Sequence, residues 1–278
     1  MSKSEARKLG NSLITGEMFE SYIKEATLTP FSGWNFGYVT RTGRTVEAPM
    51  RWNYYNVVCF LMKKARAMLD MGTGGGEFLS MLQPLPKVTV ATEQYKPNVQ
   101  VARDRLEPLG VRVVYIEEEK SPPYNKDLPF EDGSFDIIIN RHEAYYPPEV
   151  KRILKPRGVF ITQQVGNVDW QSLLRFFQRE SSHASHWNLG SAVDEMETAG
   201  FDIIRQEEDI QFYRFYDVGA VIFYLKAVPW AIPDFSIEKY REKLWELHLT
   251  ITENGFYDTQ QHRFLVVARK EPASKVQK

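Results

Sequence analysis

The sequence predicts an α/β protein: a doubly wound, mostly parallel, seven-stranded sheet with helices on both faces, carrying two cap elements. Three observations predict it. Strand-like and helix-like runs alternate through the middle of the chain. The stretch AMLDMGTGGGEF, residues 67–78, places a glycine-rich turn directly after a buried strand. Two aromatic-rich segments, 31–56 and 210–258, stand outside that alternation. Strands joined through helices take right-handed crossovers and pair in parallel. A ligand then binds at the carboxyl ends of the strands, where the glycine turn lies.

Residues 1–30 are polar with scattered Leu, Ile, Met and Phe, and predict one or two short helices. Residues 31–56 predict a loop or irregular hairpin. In 52–67 the apolar residues Tyr55, Val58, Cys59 and Met62 recur at helical spacing. A buried strand over 67–71 leads into the turn, and a helix over 77–83 is closed by Pro84 and Pro86. KVTVATE, 87–93, alternates as a strand does. Pro97 opens a helix that runs to Leu109 and stops at Gly110. Strands follow at 111–116 and at 135–140, where FDIIIN is apolar enough to be buried on both faces. A helix over 148–154 is stopped by KPRG. The remaining elements are a strand at 159–164, a helix at 191–199 ended by Gly200, and strands at 201–207 and 262–269. The expected division is a cap over 1–56, a core over 57–209 plus 260–272, and a cap insertion over 210–259.

Composition sets the outer limits. The chain has 278 residues, 43% of them hydrophobic, enough for a sizeable core. Lys and Arg number 35 against 36 Asp and Glu, so no overall excess of positive charge announces a nucleic-acid binder. The single cysteine, Cys59, sits in VVCFLM and reads as a small buried hydrophobe. The N-terminus MSKSEARKLGNSL has no apolar run, and no stretch approaches the roughly 20 apolar residues of a spanning helix. A cytoplasmic protein without a membrane partner is expected.

The spacing of the glycines selects the ligand. A nicotinamide-binding turn needs G-x-G-x-x-G/A. Counting from Gly72 puts Glu77 at the third position, where a carboxylate repels a pyrophosphate; counting from Gly74 puts the bulky Leu79 there. The turn instead reads Asp70-x-Gly72-x-Gly74-x-Gly76. An acidic residue ahead of the glycines suits a ligand with an ammonium group and no phosphate. A second carboxylate, Glu93, ends the next strand and can accept from both hydroxyls of a ribose. A ribose and a cationic end together fit S-adenosylmethionine.

LDMGTGGG, VTVATE, LPFEDGSFDIII (128–139) and EVKRILKPRGVFITQQ (149–164) occur in that order. On these motifs the chain resembles the class I S-adenosylmethionine-dependent methyltransferases, over about 57–207 and 260–270. The resemblance implies a Rossmann-like fold, S-adenosylmethionine as cofactor and methyl transfer as the activity. By it, Asp70, Gly72 and Gly74 hold the methionine end, with Thr73 and Gly76 shaping the turn. Glu93 takes the ribose hydroxyls, Gln94 flanks the adenine, and Asn140 ends the strand beside the cofactor. The family often places an acidic residue four positions before the Leu of LPF to bind the adenine amino group. Here that position is Tyr124, so Asn125 or a backbone carbonyl is left to accept from it.

The acceptor side is sought just after FDIIIN, in Asn140-Arg141-His142-Glu143-Ala144-Tyr145-Tyr146. His142 is either a base poised near neutral pH or a hydrogen-bonded residue that orients the loop. Arg141 pairs with a cofactor or substrate carboxylate, or with Glu143. Asn140 lacks the Pro-Pro-aromatic sequence of the amino-methylating nucleic-acid enzymes. Trp34, Arg51, Trp52, Tyr55 and Tyr145 are the expected substrate residues. Insertions of the family at 31–56 and 210–258 sit over the reactive end, and both suit a dry cap on a mainly apolar small molecule. VGAVIFYLKAV within the second is expected to pack the core. SSHASHW has an H-x-x-H spacing without a third ligand, so no metal is expected. A small-molecule methyltransferase therefore leads. An RNA base methyltransferase, with Arg and aromatic residues clamping a base, is the alternative. A non-catalytic binding module and an oxidoreductase follow.

Overall fold

The computed structural model describes residues 3–117, 119, 121–180 and 186–272, with side chains of the first helix from residue 15 onward. The N-terminal part comprises α1 (Lys3–Leu28), α2 (Gly37–Thr40), β1 (Thr45–Glu47) and α3 (Tyr54–Met62). The alternating part runs β2 (Ala67–Met71), α4 (Glu77–Met81), β3 (Val88–Glu93), α5 (Lys96–Leu106), β4 (Arg112–Tyr115), β5 (Phe135–Arg141), α6 (Pro147–Ile153) and β6 (Leu154–Val165). It continues through α7 (Gln171–Phe176), α8 (Leu189–Thr198), β7 (Phe201–Phe215), α9 (Val218–Ala227), α10 (Arg241–Asn254) and β8 (Tyr257–Lys270).

One sheet orders these strands β1-β7-β8-β6-β5-β2-β3-β4. The pairs β2–β3, β2–β5, β3–β4 and β5–β6 are parallel, whereas β6–β8, β7–β8 and β1–β7 are antiparallel. The α/β sheet architecture is as expected, but the strand count is eight, not seven. The extra strand is β1, inside the segment expected to be loop. Three residues, TVE, form it because β7 offers an open edge there. Residues 3–28 form a single helix.

Helices cover both faces. On one, α3, α4 and α5 bury Val58, Met62, Leu79, Val99, Ala102 and Leu106 against Met68, Ile137, Ile139 and Ile161. On the other, α6 and α8 bury Val150, Ile153, Ala192 and Met196 against Leu69, Ile138, Phe160 and Phe264. A third core forms the cap. The β7–β8 ladder runs on to Phe215↔Tyr257, well past the end of the β6–β8 ladder at Val165↔Arg263. This overhang carries Tyr213 and Phe215 into a cluster with α1, α7, α9 and α10. Helix α9 is buried along nearly its whole length, so VGAVIFYLKAV packs the core. The expected boundary at 209/210 falls within unbroken β7. No described helix is long and apolar enough to cross a membrane.

Candidate functional site

The glycine turn follows β2 as expected. Gly72, Gly74 and Gly76 have φ of +68°, +62° and +77°, values that carry a steric cost for any side chain. The turn is tied to β3: Thr73 N donates to Thr92 O at 2.9 Å, and Gly72 N to Thr92 Oγ1 at 3.3 Å. Gly76 does the packing work of a third glycine, because a Cβ there would lie 2.6 Å from Leu106 Cγ of α5. A Cβ at Gly72 would lie 2.6 Å from both Cβ and Oε2 of Glu143.

The donor set around this turn is acidic. Asp70 is 5% exposed and accepts from Thr73 Oγ1 at 2.7 Å. Burial pushes its carboxyl up to about 7, against the Thr73 bond, with the nearby charge of Glu93 adding to the rise. Glu93 accepts from Tyr95 N at 2.8 Å and also from the Gly74 and Gln94 amides. Burial raises its carboxyl too, against those bonds. Glu77 is paired with Arg105 at 2.6 Å. Two buried, partly desolvated carboxylates with Glu143 beside them favour a cation and repel a phosphate. The residues present therefore fit a ligand with an ammonium or sulfonium centre and a ribose.

Gln94 and Asn125 meet: Gln94 Nε2 donates to Asn125 Oδ1 at 2.7 Å, and Asn125 Nδ2 donates to Ala144 O at 2.8 Å. Asn125 is 4% exposed with φ of +59°. It ties together the ends of β3 and β5 and keeps one acceptor lone pair on Oδ1. Asn140 lies fully buried below the turn, its Oδ1 accepting from Thr162 Oγ1 at 2.8 Å and Gln164 Nε2 at 2.7 Å.

The loop after β5 turns at His142, with φ of +64°. Its N donates to Gln163 O at 2.8 Å, and its Nε2 lies 3.3 Å from Gln163 Nε2. Arg141 points to the α3 face, with its guanidinium 5.5 Å from the Phe78 ring. Trp52 Nε1 donates to Gln163 Oε1 at 2.8 Å, one strand away. Trp34 reaches the turn from the N-terminal cap: its Cβ would be 3.2 Å from a Cβ on Gly74. Its neighbour Gly33 donates to Asn98 Oδ1 of α5 at 3.1 Å.

Other expected substrate residues lie elsewhere. Tyr145 packs on the opposite face, against Phe160 at 5.1 Å and Trp187 at 6.4 Å. Tyr55 is on the outer side of α3, its OH 3.4 Å from Met81 O. Arg51 holds Asp209 through its backbone N at 3.1 Å and its Nε at 3.5 Å. His183 of the H-x-x-H stretch lies outside the described residues. Among the described residues no three His, Cys, Asp or Glu side chains converge as metal ligands.

Sequence reasoning named Glu143 only as a partner for Arg141, a pairing the structure does not form, and missed Tyr224 and Trp230. Trp230 stacks on Trp34, with planes 7° apart and centroids 6.1 Å apart. Tyr224 stacks on Phe36 at 4.5 Å and donates to or accepts from Tyr213 across 2.7 Å. The Trp34–Trp230 and Phe36–Tyr224 stacks join the two cap segments across the length of the core, and only the aromatic richness of both segments signalled them.

Comparison with known proteins agrees with this geometry. A family profile described as "Methyltransferase domain" matches residues 69–162. The protein-L-isoaspartate O-methyltransferase of Protochlamydia amoebophila is 23% identical over 155 residues, covering 54% of this chain and 69% of that protein. The demethylmenaquinone methyltransferase of Thermus thermophilus is 31% identical over 120 residues, or 40% of this chain; the match spans about half, 52%, of that enzyme. A solved Bacillus halodurans protein, provisionally classed as a methyltransferase, shares the fold with a TM-score of 0.53 at 19% identity, over 78% of this chain and 97% of that one. A Deinococcus radiodurans protein of unknown function gives 0.52 at 14% identity, over 90% and 99%. The acidic, glycine-lined turn, the strand order and these matches have one common reading: residues 69–162 form a methyltransferase domain, in a chain with the fold of the class I S-adenosylmethionine-dependent methyltransferases.

Proposed function

We propose that the protein methylates a small, partly apolar or aromatic molecule. The observation that carries this reading is the convergence of both cap segments on the glycine turn. Trp34 packs on the turn and against Trp230, while Phe31 and Phe36 contact Phe223 at 5.9 and 6.3 Å. Trp34 and Trp230 remain 42% and 50% exposed, so the roof offers apolar area to a flat acceptor in front of β2 and β5.

S-adenosylmethionine, when bound, supplies a methyl group already activated on sulfur, so the protein's task is to bind and align. Asp70, Gly72, Thr73, Gly74 and Glu143 would surround the amino-acid end, and Glu93 the ribose, with Gln94 and Asn125 at the adenine. His142, held at the loop by Gln163, is placed to accept a proton from an acceptor that carries one. Two of the three arginines of the 31–56 segment are already engaged, Arg44 with Glu25 and Asp217 and Arg51 with Asp209. That supports a small acceptor over RNA.

The test is calorimetric titration with S-adenosylhomocysteine, followed by transfer of labelled methyl to a panel of small aromatic molecules and, separately, to bulk RNA. Binding that Asp70→Ala and Glu93→Ala abolish, with label in small molecules alone, is expected. Label in RNA alone would replace this reading.

A further inference from the structure

Arg141 is a cation without a counter-ion. It is the last residue of β5, a central strand, yet its side chain is exposed to solvent. Among the described residues no carboxylate lies within ion-pair distance of it, and its one close partner is the Phe78 ring. Crowding by its neighbours nonetheless lowers its basicity, and it feels the charges of Tyr54, Glu47, Arg263 and Asp70. A side chain that is crowded on most sides and still wet lines a recess. The register places that recess. Arg141 pairs with Gln163, and Arg263 stands two positions beyond Gln163's own partner Leu265, on the same face. Glu47 and Tyr213 are paired further along that face, under the cap.

The other charges along this row are already satisfied. Arg263 bonds Asp169 at 2.5 Å, Glu47 accepts from Gln261 Nε2 at 2.5 Å, and Asp70 accepts from Thr73. Arg141 alone keeps its guanidinium fork open, between the glycine turn and the cap. A planar guanidinium in a recess of low dielectric selects a planar oxyanion that it can hold with two parallel bonds.

We propose that Arg141 anchors a carboxylate of the methyl acceptor, so that the substrate class is a small organic acid with an apolar or aromatic body. This rests on the methyltransferase reading of the same site. The cofactor's own carboxylate is the other source of that chemistry. The register sets Arg141 in line with Gln163 and, beyond it, with Arg263 and Glu47 under the cap, which favours the acceptor.

The experiment uses the full chain saturated with S-adenosylhomocysteine. Binding of benzoate and indole-3-acetate is compared with that of benzamide and indole-3-acetamide, at constant chloride, by calorimetry and thermal shift. Wild type is expected to prefer at least one acid over its amide by tenfold or more. Arg141→Gln should erase that preference, and Arg141→Lys should keep part of it. Both variants should bind S-adenosylhomocysteine within about threefold of wild type, which also shows that they fold. Equal binding of acids and amides by wild type, or a preference that survives Arg141→Gln, overturns the proposal. So does an Arg141→Gln variant that loses S-adenosylhomocysteine but retains 5′-methylthioadenosine, since Arg141 would then hold the cofactor's carboxylate. Failure of wild type to bind S-adenosylhomocysteine at all would instead sink the cofactor assignment beneath it.

Discussion

Asp70 shows how one side chain sets function against stability. Its carboxyl sits near 3.8 in an unfolded chain and about 7 in the fold, with burial as the main cause. The neutral form is the stabilising one. That contribution is whole below pH 3.8 and is lost as pH rises to about 7, which leaves the ligand-free protein weaker at pH 8 by up to ~4 kcal/mol. Asp70→Asn keeps an acceptor for Thr73 and removes the charge. Urea melts should show it more stable than wild type at pH 8 and no different near pH 4. A cationic ligand reverses the preference, because it needs the carboxylate. The Kd of wild type for S-adenosylhomocysteine should therefore rise severalfold to tenfold between pH 8 and pH 6, with proton release detectable by calorimetry in two buffers. Asp70→Asn should bind at least tenfold more weakly and lose the pH slope. At this scale the sequence showed the chemistry of residues on regular strands. Asp70 and Glu93 end strands whose side chains alternate, so their positions follow from counting. Tyr145 and Tyr55 looked equally suitable for an acceptor, but each faces away from the recess. The left-handed turn at His142 sends Tyr145 to the α6–α8 face, and nothing in residue type encodes that.

Among the elements, the turn between β2 and α4 is under the tightest constraint. Gly72→Ala meets two obstacles, a φ of +68° and the Glu143 side chain 2.6 Å from the new methyl group. Yet Gly72 is at the rim of the sheet, so the fold should survive while S-adenosylhomocysteine affinity falls at least tenfold. Gly76→Ala drives its methyl into Leu106 inside the α4–α5 packing. It should cost stability, about 1–3 kcal/mol in denaturant melts, before it costs affinity. The opposite ranking would mean that the two glycines have exchanged roles. The parallel strands were legible because each is a short apolar run closed by a Gly, Pro or charged residue. β1 was not, because three residues carry no periodicity and their strand conformation is borrowed from the β7 edge. The lengths of β7 and β8 were also hidden. Beyond residue 207 the exposed positions of β7 are Glu208, Ile210 and Phe212, a mixture with no polar–apolar alternation, and pairing with β8, not hydrophobic pattern, keeps the strand extended.

Across the whole molecule, those two long strands decide whether cap and core are separate bodies. A cap held only by loops would melt on its own. Here β7 and β8 pass through both, and α1, α9 and α10 bury Phe19, Val221, Phe223, Leu244 and Leu247 against the overhang. Phe223 is 2% exposed and touches Phe31, Phe36 and Tyr38. Phe223→Ala should cost about 3–5 kcal/mol. If the ladder couples the parts, that loss lowers one cooperative transition of the entire chain, with far-UV circular dichroism and tryptophan fluorescence falling together. S-adenosylhomocysteine, bound at the turn, should then raise the same transition in wild type and variant, since a ligand stabilises whatever unfolds with its site. If the cap instead unfolds alone, Phe223→Ala will split the transition, and the ligand will shift only the upper one. The two outcomes imply different enzymes. In the first, the aromatic roof is preformed before any acceptor arrives and selects by shape. In the second, the roof forms around the acceptor, and its ordering cost is taken from the affinity for every substrate.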